Sequence, residues 1–457
     1  MSTAARASLS RAALHASLGD PVLESIGFLN EVMGRHPDAV SFAPGAPHPA
    51  PYADLDTARY LDRFLDHAAA APGRTRESAT RLLYEYGPAQ GLVNEVVAEA
   101  LRRDQGIDAA PDDLVITVGA QEAMLLTLRA LLADPGDLLA VADPCFVGIT
   151  SAAAFLGAEV VPVPEDHDGL DVAALAEACR AARRTGGRIR ACYVAPDYAN
   201  PSGSRMQLAR RQALLSLAEQ EDFLVIEDNA YGFTAAPGTE LPALKALDTE
   251  RRVVHIGTFA KVCFPGARVG YAVADQRVGT GHGSGEVTLA GELARLKTAV
   301  TVNTPPLSQA LIAGMLLEHG GSLAEPIRTR AALYRRNLTH LLEALDREGA
   351  GGVPEGVGWN HPDGGFFVLV RLPVPADEAL LEAAASEYGV LWTPMAPFHV
   401  GGGGTHTLRL SCSYLDPDRI DEGVRRLTRF LRECAHPGTG PSRRYGTSRP
   451  GNEGAPK

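Results

Sequence analysis

The chain is predicted to be an α/β protein, with a mostly parallel sheet sandwiched by helices and a smaller α+β domain beside it. Three observations predict this. From Leu114 onward six short apolar runs, LVIT, LLAVAD, AEVVPVP, IRACYVAP, FLVIED and VVHIGTF, alternate with helical stretches, the signature of βαβ units covered on both faces. The alternation ends after Tyr271, and beyond a long helical region closing at about Gly349 come GGFFVLVRL, a helix Ala376–Tyr388, then GVLWTP and THTLRLSCSY, which reads as an α+β unit. Finally, 457 residues with 45% hydrophobic and 21% charged side chains leave room for two or more compact domains with a large core.

Taken in order, the chain begins with a helix over Val22–Arg35 and a Pro/Gly-rich irregular segment, Ser41–Pro49, suited to lining a cleft. A helix over Asp54–His67, a polar connector to about Thr80 and the turn YEYGPAQGL (Tyr84–Leu92) precede another helix ending near Arg103. Tyr86 is an aromatic hydroxyl in that turn, commonly a surface anchor.

In a parallel sheet, functional residues gather beyond the carboxyl ends of the strands. After LVIT, residues Gly119, Ala120 and Gln121 open a helix whose free N–H groups and dipole favour an anion, a phosphate seat. After LLAVAD, Phe146 is placed either to stack on a planar ring or to pack in the core. After IRACYVAP the turn ANPSG presents Asn200, able to donate to a phenolate oxygen or simply to form the turn. After FLVI come Glu227, Asp228 and Tyr231; a carboxylate at the end of an apolar strand needs a cationic partner, which a protonated pyridine nitrogen would supply.

The organising stretch is VVHIGTFAKVCFPGARVGY, Val253–Tyr271. It places the Thr258 hydroxyl before the Lys261 amine and the Arg268 guanidinium after it, with Pro265 and Gly266 bending the chain between. An amine bonds to an aldehyde while hydroxyl and guanidinium hold a phosphate, which suits pyridoxal phosphate; an ordinary strand-end lysine in a basic loop is the other reading.

GTGHGSG, Gly279–Gly285, lacks a preceding strand and dinucleotide-loop spacing and reads as a mobile connector; a long helical region then runs from about Gly291 through NTPPLSQ to about Gly349. In THTLRLSCSY, Thr407, Arg409, Ser411 and Ser413 share one face and Leu408, Leu410 and Cys412 the other, so Arg409 points away from the core, as a solvated edge arginine or a ligand arginine. Gly401–Gly404 would let a flap move. His48, His399 and His406 lie on loops, solvated or bordering a pocket. The expected domains are an N-terminal arm with part of the small domain (1–50), a large domain (51–330), a small domain (331–435) and a disordered tail (436–457).

A net charge of −12, from 55 acidic and 43 basic residues, argues against a nucleic-acid partner. The six cysteines show no C-x-x-C spacing, so neither a disulfide framework nor a metal site is expected, and the cytoplasm is the expected location. No apolar run approaches the ~20 residues of a membrane span. Met1–Leu18, rich in Arg and Ser, reads as a frayed or helical N-terminus with a faint likeness to a transit peptide.

The ordered motifs YGPAQG, TVGAQEA, DPCF, ANPSG, EDNAYG, TFAK, PGARVGY and LRLS resemble those of the class I/II aminotransferases, over roughly Ser41–Leu431. The resemblance implies the fold of aspartate aminotransferase with a seven-stranded sheet, pyridoxal 5′-phosphate as cofactor, and a ping-pong transfer of an amino group between an L-amino acid and a 2-oxo acid. It implies that Lys261 bonds the cofactor aldehyde and acts as base. Asp228 would pair with the ring nitrogen, and Asn200 and Tyr231 would bind its phenolic oxygen. Gly119, Ala120, Gln121, Thr258 and Arg268 would hold the phosphate, with Phe146 on the ring. Tyr86 would reach the phosphate of a second subunit, giving a homodimer with shared sites; Arg409 would grip the substrate α-carboxylate, with Gly45 nearby and Asn200 also facing substrate. Ala260, Phe146 and Val93-Asn94 depart from frequent family residues (Ser, Tyr and a Leu-Arg pair), which leaves room for elimination, replacement or cyclisation of an unusual amino acid. A ligand-sensing regulatory domain is the third possibility, although no basic helix-turn-helix precedes the fold.

Overall fold

The computed structural model describes residues 9–10, 13–53, 55–279, 285–322 and 324–434. The tail expected from 436 onward, the first eight residues and most of the 279–285 connector lie outside them.

The large sheet orders its strands Leu114–Thr117, Gly270–Val273, Val253–Thr258, Leu224–Asn229, Arg188–Val194, Asp137–Asp143, Val160–Asp166 and Gly169–Leu170. The run from Val253–Thr258 to Val160–Asp166 is parallel throughout; Gly270–Val273 is antiparallel to both neighbours. Seven strands carry the sheet, as the resemblance implied. The eighth is a two-residue hairpin return, Gly169–Leu170, made where Asp166 accepts the Asp168 N–H at 2.8 Å. The central strands are apolar on both faces because both are covered, whereas Val160–Asp166, next to the hairpin edge, is half exposed. Helices Gly119–Leu131, Val147–Leu156 and Leu289–Lys297 pack on one side, Val172–Arg184 and Leu208–Glu221 on the other.

Against the edge of this sheet, helix Pro306–Glu318 crosses helix Thr57–Ala69 at Gly314, where any Cβ would collide with the Tyr60 carbonyl. The helix expected over Asp54–His67 starts at Thr57, because Asp56 caps it by accepting the Arg59 N–H. The connector before Thr80 contains an unforeseen helix, Arg76–Arg81, held by a Thr75/Ser78 capping box. The long helical region is three helices, Leu289–Lys297, Pro306–Glu318 and Ala324–Ala350, separated at Pro305 and at the left-handed Gly320 and Gly321.

A second core gathers Val40, Phe42, Leu341, Val368, Trp392 and Phe430. Its sheet is antiparallel, ordered Gly358–Trp359, Phe367–Arg371, Thr407–Ser411, Thr393–Pro394. GVLWTP is not one strand. Val390–Leu391 pairs in parallel with Val40–Ser41, then Trp392 turns inward and Thr393–Pro394 joins the other sheet. Thus the first residues of the expected irregular segment are sheet-paired and tie the N-terminal arm to this core. An aromatic seam of Tyr198, Tyr231, Tyr334, Phe366 and Phe367 joins the two bodies, with Tyr334 and Phe366 centroids 4.5 Å apart.

Candidate active site

The ends of the parallel strands converge on a cavity of about 490 Å³ lined by Ala120, Gln121, Phe146, Asn200, Asp228, Tyr231, Thr258, Lys261 and Arg268, and closed by Gly45 and Arg409 from the second body. Eleven of the thirteen residues singled out in the sequence therefore line one space. Gly119 stands just outside the lining, with the Arg268 guanidinium against its backbone; at φ +75° it takes a turn that a side chain there would both strain and obstruct. Tyr86 is 88% exposed and does not line this cavity.

Glu227 and Asp228 are adjacent on a strand, so they face opposite ways. Glu227 is turned into the protein, accepting from Leu244 N (2.6 Å), Lys245 N (3.0 Å) and His255 Nδ1 (2.8 Å). Burial opposes its charge, but His255 and these backbone donors outweigh it and hold the carboxyl below its ordinary range. Asp228 faces the cavity. Its Oδ2 accepts from the Tyr193 hydroxyl at 2.7 Å, while Oδ1 is buried without a hydrogen-bond partner. Burial pushes this carboxyl up to about 6, partly offset by Tyr193, His255 and Lys261.

Lys261 Nζ donates to the Gly45 carbonyl at 2.6 Å. Burial, then Arg409 and Arg268, pull its amine down to about 8 against the opposing pull of Asp228, so a neutral, nucleophilic form is accessible near neutrality. Arg409 is not a solvated edge residue. Its strand is hydrogen-bonded on both sides, its side chain is 6% exposed, and its guanidinium lies 4.3 Å over the Phe367 ring and 5.1 Å from that of Phe398. It donates to Asn200 Oδ1 (2.6 Å), Ala43 O (3.0 Å) and Thr393 Oγ1 (3.3 Å), while Nε has no partner. Burial pulls this group down to about 10. The polar face read from the sequence is turned onto the N-terminal loop, where Ser413 Oγ donates to Ala46 O at 2.7 Å.

The opening turn of helix Gly119–Leu131 has no side-chain cap, so its N–H groups remain available to an anion beside Thr258 and Arg268. Gly270 permits this crowding, since a Cβ there would sit 2.8 Å from Ala120 N. Gly148 similarly leaves room for Phe146 and Gln121 to lie together over the cavity. Of the loop histidines, His48 is buried with Nε2 3.2 Å from Asp416, correcting the solvated reading. His399 Nδ1 lies 3.4 Å from Asp143, and His406 is exposed. Sequence reasoning missed Tyr193, Leu29, Met124 and Phe398, which also line the cavity. The only local signal was a hydroxyl-bearing aromatic in the apolar run IRACYVAP. A second cavity of about 500 Å³, behind Asn229 and bordered by Asp104, Gln105 and Arg335, contains no lysine.

Three cations and one carboxylate around the same cavity fit a ligand with a phosphate, an aldehyde and a basic ring nitrogen. The uncapped helix end and the unpartnered Asp228 oxygen are what such a ligand would satisfy, and together with the fold they define a pyridoxal-phosphate enzyme. Comparison with known proteins agrees. The sequence profile described as Aminotransferase class I and II matches residues 51–427. The (S)-3,5-dihydroxyphenylglycine transaminase of Amycolatopsis orientalis is 44% identical over 93% of this chain and 94% of its own. The kynurenine aminotransferase of Pyrococcus horikoshii, solved with PMP, superposes with a TM-score of 0.77 at 29% identity, covering 93% of this chain and 97% of that one. LysN, the α-aminoadipate aminotransferase of Thermus thermophilus, solved with N-(5′-phosphopyridoxyl)-L-leucine, gives 0.76 at 30%, covering 93% and 98%. More distant relatives, at 30% identity or less, include helix-turn-helix transcriptional regulators. The chain belongs to the class I and II aminotransferase family, and it is a pyridoxal-phosphate-dependent transaminase.

Proposed function

We propose that this protein transfers the amino group of an L-amino acid with an uncharged, aromatic or bulky apolar side chain to a 2-oxo acid by a ping-pong mechanism. The observation that carries the substrate class is the charge inventory of the cavity. Its lining cations are Lys261, Arg268 and Arg409, matched to an aldehyde, a phosphate and an α-carboxylate, and the remaining wall, Tyr193 and Thr393 apart, is apolar, with Leu29, Met124, Val147, Pro397 and Phe398 its largest side chains. Among the described residues of one protomer no cation is left there for a second substrate carboxylate. The aromatic amino acids in the names of two of the relatives support the same reading.

In this reading Arg268, Thr258 and the N–H groups of Gly119, Ala120 and Gln121 hold the phosphate, Phe146 covers the ring, and Asn200 and Tyr231 meet its phenolic oxygen. Bound pyridoxal phosphate supplies the electron sink that lets the amino-acid Cα–H ionise, and it carries the amino group between the two half-reactions. Asp228 keeps a negative charge at the ring nitrogen. Arg409 grips the substrate carboxylate as a fork and thereby orients Cα toward Lys261, whose lowered basicity suits it to take up and return a proton. Phe398 and Phe367, flanking Arg409, exclude water from that ion pair.

We also read the chain as a homodimer in which Tyr86 reaches the second subunit's site. Tyr84, Tyr86, Val300, Val302 and Leu307 are exposed, and the two loops meet at Gly87 and Asn303, forming an apolar surface suited to a second copy. Arm, large and small domains at 1–50, 51–330 and 331–435 remain our division, supported by the separate cores, with helix Ala324–Ala350 running through the junction. Among the described residues no helix is long and apolar enough to cross a membrane, and five free buried cysteines support our placing of the protein in the cytoplasm.

The test is a half-reaction. The holoenzyme mixed with single amino acids, without acceptor, should convert to the pyridoxamine-form absorbance fastest with aromatic donors, and added 2-oxo acid should reverse it. Catalytic 2-oxo acid release without any acceptor would instead establish elimination, and preference for acidic donors would overturn the substrate class.

A further inference from the structure

Asp228 has one oxygen free and one held. The holder, Tyr193, belongs to the neighbouring parallel strand Arg188–Val194, where it pairs with Ile226. Its ring is 2% exposed and packed in the apolar layer beneath helix Gly119–Leu131, so the sheet, rather than a loop, sets the position of its hydroxyl. That hydroxyl donates to Asp228 Oδ2 at 2.7 Å.

We propose that Tyr193 is a positioning residue for the cofactor: it holds Asp228 by one oxygen, in one rotamer and ionised, so that the other oxygen is presented to the ring nitrogen. This rests on the reading that Asp228 pairs with that nitrogen. The groups facing Asp228 are Tyr193 on one side, His255 and Lys261 from the strand Val253–Thr258 and its turn, Glu227 beside it, and Tyr231 beyond. His255 is engaged by Glu227, and Lys261 bonds the Gly45 carbonyl, whereas Tyr193 donates directly to the carboxylate. A hydrogen bond given to a carboxylate favours its charged form. Losing it moves the protonation midpoint up, toward neutral pH, and leaves a neutral acid where the ring nitrogen needs an anion.

The experiment uses Tyr193→Phe, which keeps the ring and deletes the hydroxyl, and reads binding of pyridoxamine 5′-phosphate to the cofactor-stripped protein across pH by fluorescence. This probe has no aldehyde, so bonding to Lys261 does not contribute. The variant should bind roughly tenfold more weakly near neutrality, with the pH below which affinity falls displaced upward by about one pH unit. Replacing Tyr193 by 3-fluorotyrosine, a stronger donor, should displace it downward. Asp228→Asn should abolish the pH dependence, and Tyr193→Phe added to it should cost nothing more. A Tyr193→Phe protein that loses affinity without moving the midpoint, or loses nothing while Asp228→Asn does, overturns the role of Tyr193 alone. An Asp228→Asn protein indistinguishable from wild type overturns the reading of Asp228 and this proposal with it.

Discussion

Replacing Arg409 tests the α-carboxylate role proposed for it, provided the loss of its structural contacts is measured separately. A substrate carboxylate gripped by the guanidinium gains two charge-assisted hydrogen bonds worth about 1.5–3 kcal/mol each, so Arg409→Ala should lose about 3–6 kcal/mol of binding. At about 1.4 kcal/mol per factor of ten, kcat/KM should fall roughly 10²- to 10⁴-fold. Arg409→Lys keeps the charge but not the fork, and should fall roughly 10- to 100-fold. The structure adds a constraint on the assay. Arg409 also bonds Asn200 Oδ1 and Ala43 O, and leaving those buried acceptors unpaired should cost about 1–3 kcal/mol of stability, to be measured separately by denaturant titration. The informative kinetic experiment varies both substrates. In a ping-pong reaction the amino donor and the oxo acid place their α-carboxylates on the same arginine in alternate half-reactions, so both kcat/KM values should fall by similar factors. If both stay within about threefold of wild type in a folded variant, Arg409 does not bind the α-carboxylate.

Lys261→Ala should abolish both turnover and the absorbance of the lysine-bonded cofactor, leaving at most that of the free aldehyde, and a variant retaining both would remove the lysine from the mechanism. Since the cofactor-free amine is lowered to about 8, its neutral fraction rises with pH, so the rate of cofactor recapture by stripped protein should climb through about pH 8 and level off above it; a flat stopped-flow profile there contradicts the assignment. Lys297 is wholly buried and bonds Glu122 at 2.9 Å, so Lys297→Met should leave that carboxylate without its cation and cost about 3–5 kcal/mol in urea unfolding; adding Glu122→Leu should recover only part of the loss, because the Val118 N–H and the Thr301 hydroxyl then lose their acceptor. Gly314→Ala, which would normally gain about 1 kcal/mol inside a helix, should instead destabilise, because helix Thr57–Ala69 occupies the space of the methyl group; a rise in Tm would refute the close crossing.

Much of this protein was legible before any coordinates. The six apolar runs between Leu114 and Phe259 all became sheet strands; for all but the half-exposed Val160–Asp166 the reason is that a parallel strand covered on both faces must be apolar along its length, and that pattern is local. The residues beyond those strands share one cavity for a related reason: in a parallel sheet the carboxyl ends lie on one edge whatever the helices between them do. Lys261, Asp228, Asn200 and Phe146 inherit their neighbourhood from topology.

Other features depended on contacts between distant segments. The alternation in THTLRLSCSY places Arg409 on a polar face, but whether that face meets water or the Ala43–Ala46 loop is set by Val40–Ser41 pairing with Val390–Leu391, some 350 positions away. GVLWTP divides between two sheets for the same reason. Nothing local distinguishes the Tyr193 hydroxyl from any core tyrosine until the adjacent strand brings Asp228 to within 2.7 Å of it. Side-chain chemistry and periodicity are written along the chain, so strand identity and the kinds of reactive group could be read there; burial, ion-pair partners and the perturbed acidities of Asp228 and Lys261 arise only when those segments exclude water from one another.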